Sequence, residues 1–235
     1  MRPKSLNLIK RLLLEQYNSA TEIVEFIGKV KSIIDKRPPK INTVFIIGGA
    51  GSGKTFFLDT LINLIWSVGF CESNFNKTRN FPLENLLRKR MGVINEFSCE
   101  DSMKDTCKEL FEGTRTIVNA KYKSRTTIPR TPIFITTNNP FGLGFSGPDR
   151  RAFEQRMFVE RWSPQPWLKK LKGKPHPLIW AKLYNVKEED FDDVPPIAYF
   201  DDVVHGNSIY LAPPVDQNSH IDLDRVAMRL WETLA

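Results

Sequence analysis

The residues best equipped for chemistry lie between Ile41 and Leu58, a stretch reading INTVFIIGGAGSGKTFFL. Within it Gly48, Gly49, Ala50, Gly51, Ser52, Gly53, Lys54 and Thr55 place a glycine first and sixth, then a lysine and a hydroxyl. Glycines let backbone N–H groups wrap an anion, and a following helix N-terminus adds donors and the positive end of a dipole. Lys54 is of the right type to reach β and γ phosphates, and the Thr55 hydroxyl to take a Mg²⁺ position. The residues before the loop (Val44, Phe45, Ile46, Ile47) have the apolar, β-branched character of a buried strand, and those after it an apolar helical pattern. Strand, loop and helix in that order are what phosphate binding needs, so a nucleoside triphosphate site is expected here.

Two further strands end in polar chemistry. Met91 to Glu96 reads as a short buried strand closing on an acid, and an acid there holds Mg²⁺ through water or polarises the attacking water. Thr131 to Pro140 reads as another, closing on Asn138, whose amide can sense a γ-phosphate or orient water. Ligands in open α/β sheets collect beyond the carboxyl ends of strands. Arg150, Arg151, Arg156 and Arg161 surround the apolar segment Met157 to Val159, and an arginine offered to a neighbour's γ-phosphate completes the site in many oligomeric ATPases. Thr116 to Arg125 alternates and carries three cations around one aromatic. Lys121, Lys123 and Arg125 on one face of such a ribbon could neutralise nucleic-acid phosphates, or simply keep a solvated hairpin edge from aggregating.

The elements that must position these groups follow from periodicity. Residues 5–36 read as two helices, with Ser19 and Glu22 as a capping box for the second and Arg37-Pro38-Pro39 as its stop. They serve either core packing or an oligomer-forming collar. Phe56 to Val68 is the expected helix after the loop, ending near Gly69, and residues 76–87 are polar and turn-rich. Residues 98–112 read as one amphipathic helix stopped by Gly113. Residues 141–149 form a Gly-rich turn. From Ser163 onward prolines and an acidic tract mark a small lobe or tail, with a last helix expected from Asp222 to Leu234.

Composition narrows the class. The chain has 235 residues, 41% hydrophobic and 26% charged, which is globular and ordinary, and a net charge of +7, which suits a polyanionic partner. Its three cysteines, Cys71, Cys99 and Cys107, lack Cys-x-x-Cys spacing, which argues against a zinc site or a disulfide framework and for a reducing compartment. His176, His205 and His220 show no ligand spacing. The apolar opening is interrupted by Lys10 and Arg11 and reads as an amphipathic helix, not a signal peptide. No run approaches eighteen apolar residues, so no membrane span is expected.

The order GGAGSGKT, GVINEF, FEGTRTIVNAKYKS, RTPIFITTNN and EQRMF, between Gly48 and Phe158, resembles the superfamily 3 helicase domain of parvovirus large non-structural and Rep proteins. It is most similar to the insect and crustacean branch, where an Asn-Glu pair in the second motif is familiar. The resemblance implies an α/β, AAA+ type P-loop ATPase with a central, mostly parallel sheet flanked by helices. It divides the chain into an N-terminal helical segment (1–40), the ATPase core (41–162) and a C-terminal lobe or tail (163–235). It makes Gly48, Gly53, Lys54 and Thr55 the Walker A loop, Glu96 the Walker B acid, Lys121 and Lys123 the basic motif of the DNA-facing hairpin, Asn138 the sensor and Arg156 the arginine finger.

It also implies ATP and Mg²⁺, a homo-oligomeric ring, usually hexameric, on single-stranded or forked DNA, 3′ to 5′ translocation, and viral genome replication in a host nucleus. Many relatives carry two adjacent acids where this chain has Asn95 before Glu96. One carboxylate must then serve metal and water, and the ATPase could be slower. Full-length relatives begin with a nuclease domain bearing a His-x-His metal site and a tyrosine nucleophile. Nothing here corresponds to it, so a helicase portion without nicking activity is expected. Two other readings stay open: a non-catalytic oligomerising DNA-binding module, a viral remnant that Asn95 favours, and an ATPase serving packaging or remodelling.

Overall fold

Strands whose side chains are apolar on both faces form a sheet only where both faces are covered. The computed structural model, which describes residues 3–65, 67–71, 73–75, 82–120, 123–139, 147–171 and 173–200, builds such a sheet. Two helices come first, α1 (Pro3–Leu14) and α2 (Ala20–Ile34). They are followed by β1 (Thr43–Gly48), α3 (Lys54–Ile62), β2 (Val68–Cys71), β3 (Asn74–Phe75), β4 (Met91–Asn95) and β5 (Ser98–Cys99). Helix α4 (Lys104–Glu112) precedes strands β6 (Thr116–Ala120) and β7 (Lys123–Ile128), then β8 (Ile133–Thr137), α5 (Gly147–Glu154), β9 (Met157–Trp162) and the short α6 (Trp180–Leu183). Among the described residues the central sheet has five strands in the order β2-β4-β8-β1-β9, every neighbouring pair parallel. Strands β1 and β8 are buried along their whole length, as their unbroken apolar and threonine runs require.

The chain divides into two compact units. Gly28–Ala50 and Ser67–Ser163 form one, which holds the sheet. Its core gathers Phe45, Ile94, Phe111, Ile135 and Phe153, with Phe97 edge-on to Phe111 at 5.0 Å. Lys29 of α2 pairs here with Glu160 of β9 at 2.9 Å. The other unit comprises Met1–Ile27, Gly51–Trp66 and the residues from Pro164 onward. Phe57 of α3 lies between Phe26 (5.3 Å) and Trp180 (5.8 Å), and the Trp180 indole donates to Thr60 Oγ1 at 2.8 Å. Lys10 pairs with Asp190 and lies 5.5 Å over the Phe191 ring, tying α1 to the turn at residues 188–191. No helix among the described residues is long and apolar enough to cross a membrane.

Several expectations are corrected. The helix after the loop stops at Ile62, because Val68–Cys71 is the edge strand of the sheet, and Gly69 sits where a side chain would strike the Asn85 carbonyl. Residues 98–112 are not one helix. Ser98–Cys99 pairs with Asn74–Phe75, Asp101–Met103 forms a single 3-10 turn, and α4 begins at Lys104, ending at the left-handed Gly113 as expected. The capping box is half made: Ser19 Oγ accepts from the Glu22 N–H at 3.2 Å, but the Glu22 carboxylate accepts from Asn18, one residue before the cap. The expected helix from Asp222 to Leu234, His205, His220, residues 76–81 and most of the Gly-rich turn (140–146) lie outside the described residues.

Candidate functional site

Parallel pairing sets Ile46 beside Thr136 and Thr136 beside Asn95, so β1, β8 and β4 end at one edge of the sheet. From the end of β1 the glycine loop departs, and the other two strands deliver Asn138 and Glu96. Glu96 takes a left-handed backbone (φ 53°), and its N–H still reaches the Thr136 carbonyl at 2.7 Å. That twist lays its carboxylate on the end of β8. Asn138 donates to it from the backbone N–H (3.0 and 3.1 Å) and from Nδ2 (2.7 Å), and the buried Thr137 hydroxyl donates at 2.9 Å. Glu96 and Asn138, chosen from sequence as separate actors, therefore form one hydrogen-bonded group. Asn95 is exposed, and its Oδ1 accepts from the Thr136 hydroxyl at 2.7 Å.

Gly48, Gly49 and Ala50 close the sheet unit, while Gly51, Ser52, Gly53, Lys54 and Thr55 open the stretch assigned to the other. Gly51 (φ 79°) and Gly53 (φ 89°) are left-handed, where a side chain costs energy. A Cβ on Gly53 would also lie 2.7 Å from Leu12 and 3.0 Å from Leu168. Lys54 begins α3, is buried, and donates to Ser52 Oγ at 3.1 Å. Thr55 is exposed beside it.

The loop's carbonyls are held from outside. Gln16 Nε2 donates to Ser52 O at 3.1 Å, the Gln165 N–H donates to Gly51 O at 2.9 Å, and Gln165 Nε2 donates to Glu15 O at 3.3 Å. These bonds fix the backbone of the loop at Gly51 and Ser52. Neither glutamine nor Thr137 carried a sequence signal, since a side chain bonding a distant backbone has no spacing rule.

Arg156 lies just before β9, at the edge of the sheet opposite Glu96 and Asn138. It pairs with Glu112 at 2.9 Å and donates to the Ala152 carbonyl. Strands β6 and β7 form the expected antiparallel hairpin, irregular between Val118 and Ala120. Lys123 opens β7 and Arg125 is its third residue, whereas Lys121 lies outside the described residues. Among the described residues no group of three His, Cys, Asp or Glu side chains could hold a metal. His176 caps a one-turn segment, its Nδ1 accepting from the Leu178 N–H at 3.1 Å, and burial lowers its pKa.

Compared with known proteins, residues 6–158 match the family model described as parvovirus non-structural protein NS1. The chain belongs to the parvovirus NS1 family. It is 33% identical over 186 residues to "Initiator protein NS1" of Diatraea saccharalis densovirus, covering 77% of this chain and 33% of that one. It is 34% identical over 186 residues to "Initiator protein NS1" of Junonia coenia densovirus, again covering 77% and 33%. This NS1 segment thus spans about a third of the length of the curated relatives it matches. Among solved structures, JCV helicase superimposes with a TM-score of 0.51 at 17% identity, covering 100% of this chain and 61% of that one. The segment has the AAA+ type P-loop fold, a parallel sheet flanked by helices.

Proposed function

We propose that this NS1 segment is the motor of a viral replication initiator, an ATP-driven DNA helicase. The observation that carries the reading is the Glu96 group, with the acid held by Asn138 and Thr137 at the sheet edge where β1 gives way to a glycine loop. In the proposal Lys54 and the loop N–H groups bind the phosphates of ATP, Glu96 accepts the proton of the attacking water, and Asn138 orients that water. The hard oxygen donors of Thr55 and Glu96 suit Mg²⁺, which when bound supplies charge neutralisation on the β and γ phosphates.

Arg156 acts on the site of the next subunit. Its place at the opposite sheet edge supports a role in trans, and the Glu112 pair must then open on assembly. Lys121, Lys123 and Arg125 of the hairpin contact single-stranded DNA in the channel of a ring, a hexamer in this proposal, that moves 3′ to 5′ in the host nucleus. The 1–40, 41–162 and 163–235 divisions are taken as the functional parts.

Strand displacement tests this. A duplex with a 3′ single-stranded tail should be unwound with ATP and Mg²⁺, a 5′-tailed duplex should not, and Lys54→Ala should unwind neither. Hydrolysis without displacement of either substrate would point to a packaging or remodelling ATPase. Asn95 favours a second reading, a non-catalytic DNA-binding module, because its amide is engaged by Thr136 and adds no second acid. That module would show no hydrolysis above the Lys54→Ala background.

A further inference from the structure

Lys169 stands beside Gly51 of the glycine loop. The segment Gln165–Lys170 belongs to the same compact unit as Gly51–Thr55 and meets the loop at Gly51 and Gly53. The Gln165 N–H donates to Gly51 O at 2.9 Å, and the Leu168 side chain lies 3.0 Å from where a Cβ on Gly53 would stand. Lys169 Cε lies 3.9 Å from the corresponding point on Gly51. The segment is firmly built. Pro166 opens its 3-10 turn, Trp167 is buried, and the Leu168 N–H returns to Gln165 O at 3.1 Å.

Lys169 thus runs past Gly51 and is exposed, and among the described residues it makes no ion pair or hydrogen bond. Lys174 pairs with Asp59 at 2.8 Å, and Lys54 donates to Ser52 at 3.1 Å, whereas Lys169 is the lysine of this segment set against Gly51. A lysine set against a glycine loop, with no ion pair among the described residues, adds positive potential that an arriving polyanion would balance.

We propose that Lys169 is a second phosphate-binding cation of the nucleotide site, supplied by the same chain as Lys54 and engaging the polyphosphate from the solvent side of Gly51. It rests on the nucleotide reading of the loop. Loop N–H groups and Lys54 hold the anion from within, and Lys169 closes over it.

Equilibrium binding of a fluorescent ATP analogue to wild type, Lys169→Met, Lys169→Arg and Lys54→Ala, at low and high salt, tests it. An exposed charge pair is worth up to roughly a fivefold change in affinity. Lys169→Met should lose about that at low salt, the loss should vanish at high salt where screening is complete, and Lys169→Arg should bind like wild type. Wild-type binding that depends on Lys54 but not on Lys169 overturns this proposal alone. Equal weakening at both salts that arginine does not restore makes Lys169 a packing residue and also overturns it. Wild-type binding no stronger than Lys54→Ala overturns the nucleotide reading and this proposal with it.

Discussion

Glu96 carries a backbone conformation that a side chain adopts at a cost of about 1–2 kcal/mol, and the fold tolerates it because four hydrogen bonds fix the carboxylate on Asn138 and Thr137. Removing the carboxylate leaves the strain without its compensation. Glu96→Ala should therefore be less stable than Glu96→Gly by about 1 kcal/mol, read from denaturant midpoints, while both lose hydrolysis. Equal stability of the two variants would show that the backbone is not strained. The acid itself was legible in the sequence from its place at a strand end after the glycine loop. Its left-handed turn and its union with Asn138 were not, because both depend on β4 and β8 being neighbours, a pairing no local pattern encodes.

Among the elements, strands are legible where both faces are apolar, as in β1 and β8, since a buried parallel strand writes an unbroken run into the sequence. The edge strand β2 is not legible in the sequence because Val68-Gly69-Phe70-Cys71 is short and follows an apolar helix with no proline to separate them. Its Phe70 is 51% exposed, as an edge position allows. Residues 164–200 show no period because they fold as one-turn pieces, two of which begin on a proline, Pro166 and Pro177, the second with His176 as its cap.

The His176 cap makes a pH prediction. Burial lowers the folded pKa below the ordinary 6.5, so below that value the unfolded chain binds the proton more readily. Stability should fall as pH drops through the mid-6 range, and protonation of Nδ1 also removes the acceptor for the Leu178 N–H. The loss is at most about 1 kcal/mol, the worth of a cap. His176→Asn, which keeps an acceptor without titrating, should flatten this part of the pH dependence of Tm. A slope unchanged in that variant would assign it to other groups.

At the scale of the whole molecule, the proposed machine needs more than one copy, and Arg156 is where that requirement can be read. In the single chain it is half-buried and paired with Glu112. Arg156→Ala should lower kcat on the order of 10³-fold while nucleotide affinity stays near wild type, because the lost interaction belongs to the transition state. A comparable loss of affinity, with a lowered Tm, would instead make the Glu112 pair structural and the arginine no finger.

In the proposed motor the glycine loop and Glu96 together consume ATP. Steady-state phosphate release with Mg²⁺ and single-stranded DNA, alongside nucleotide binding for the same proteins, tests it most directly. DNA-stimulated release is expected for wild type, with release reduced on the order of 10²-fold or more in Glu96→Gln with binding retained, and both activities lost in Lys54→Ala. Release by wild type no faster than by Glu96→Gln would contradict it.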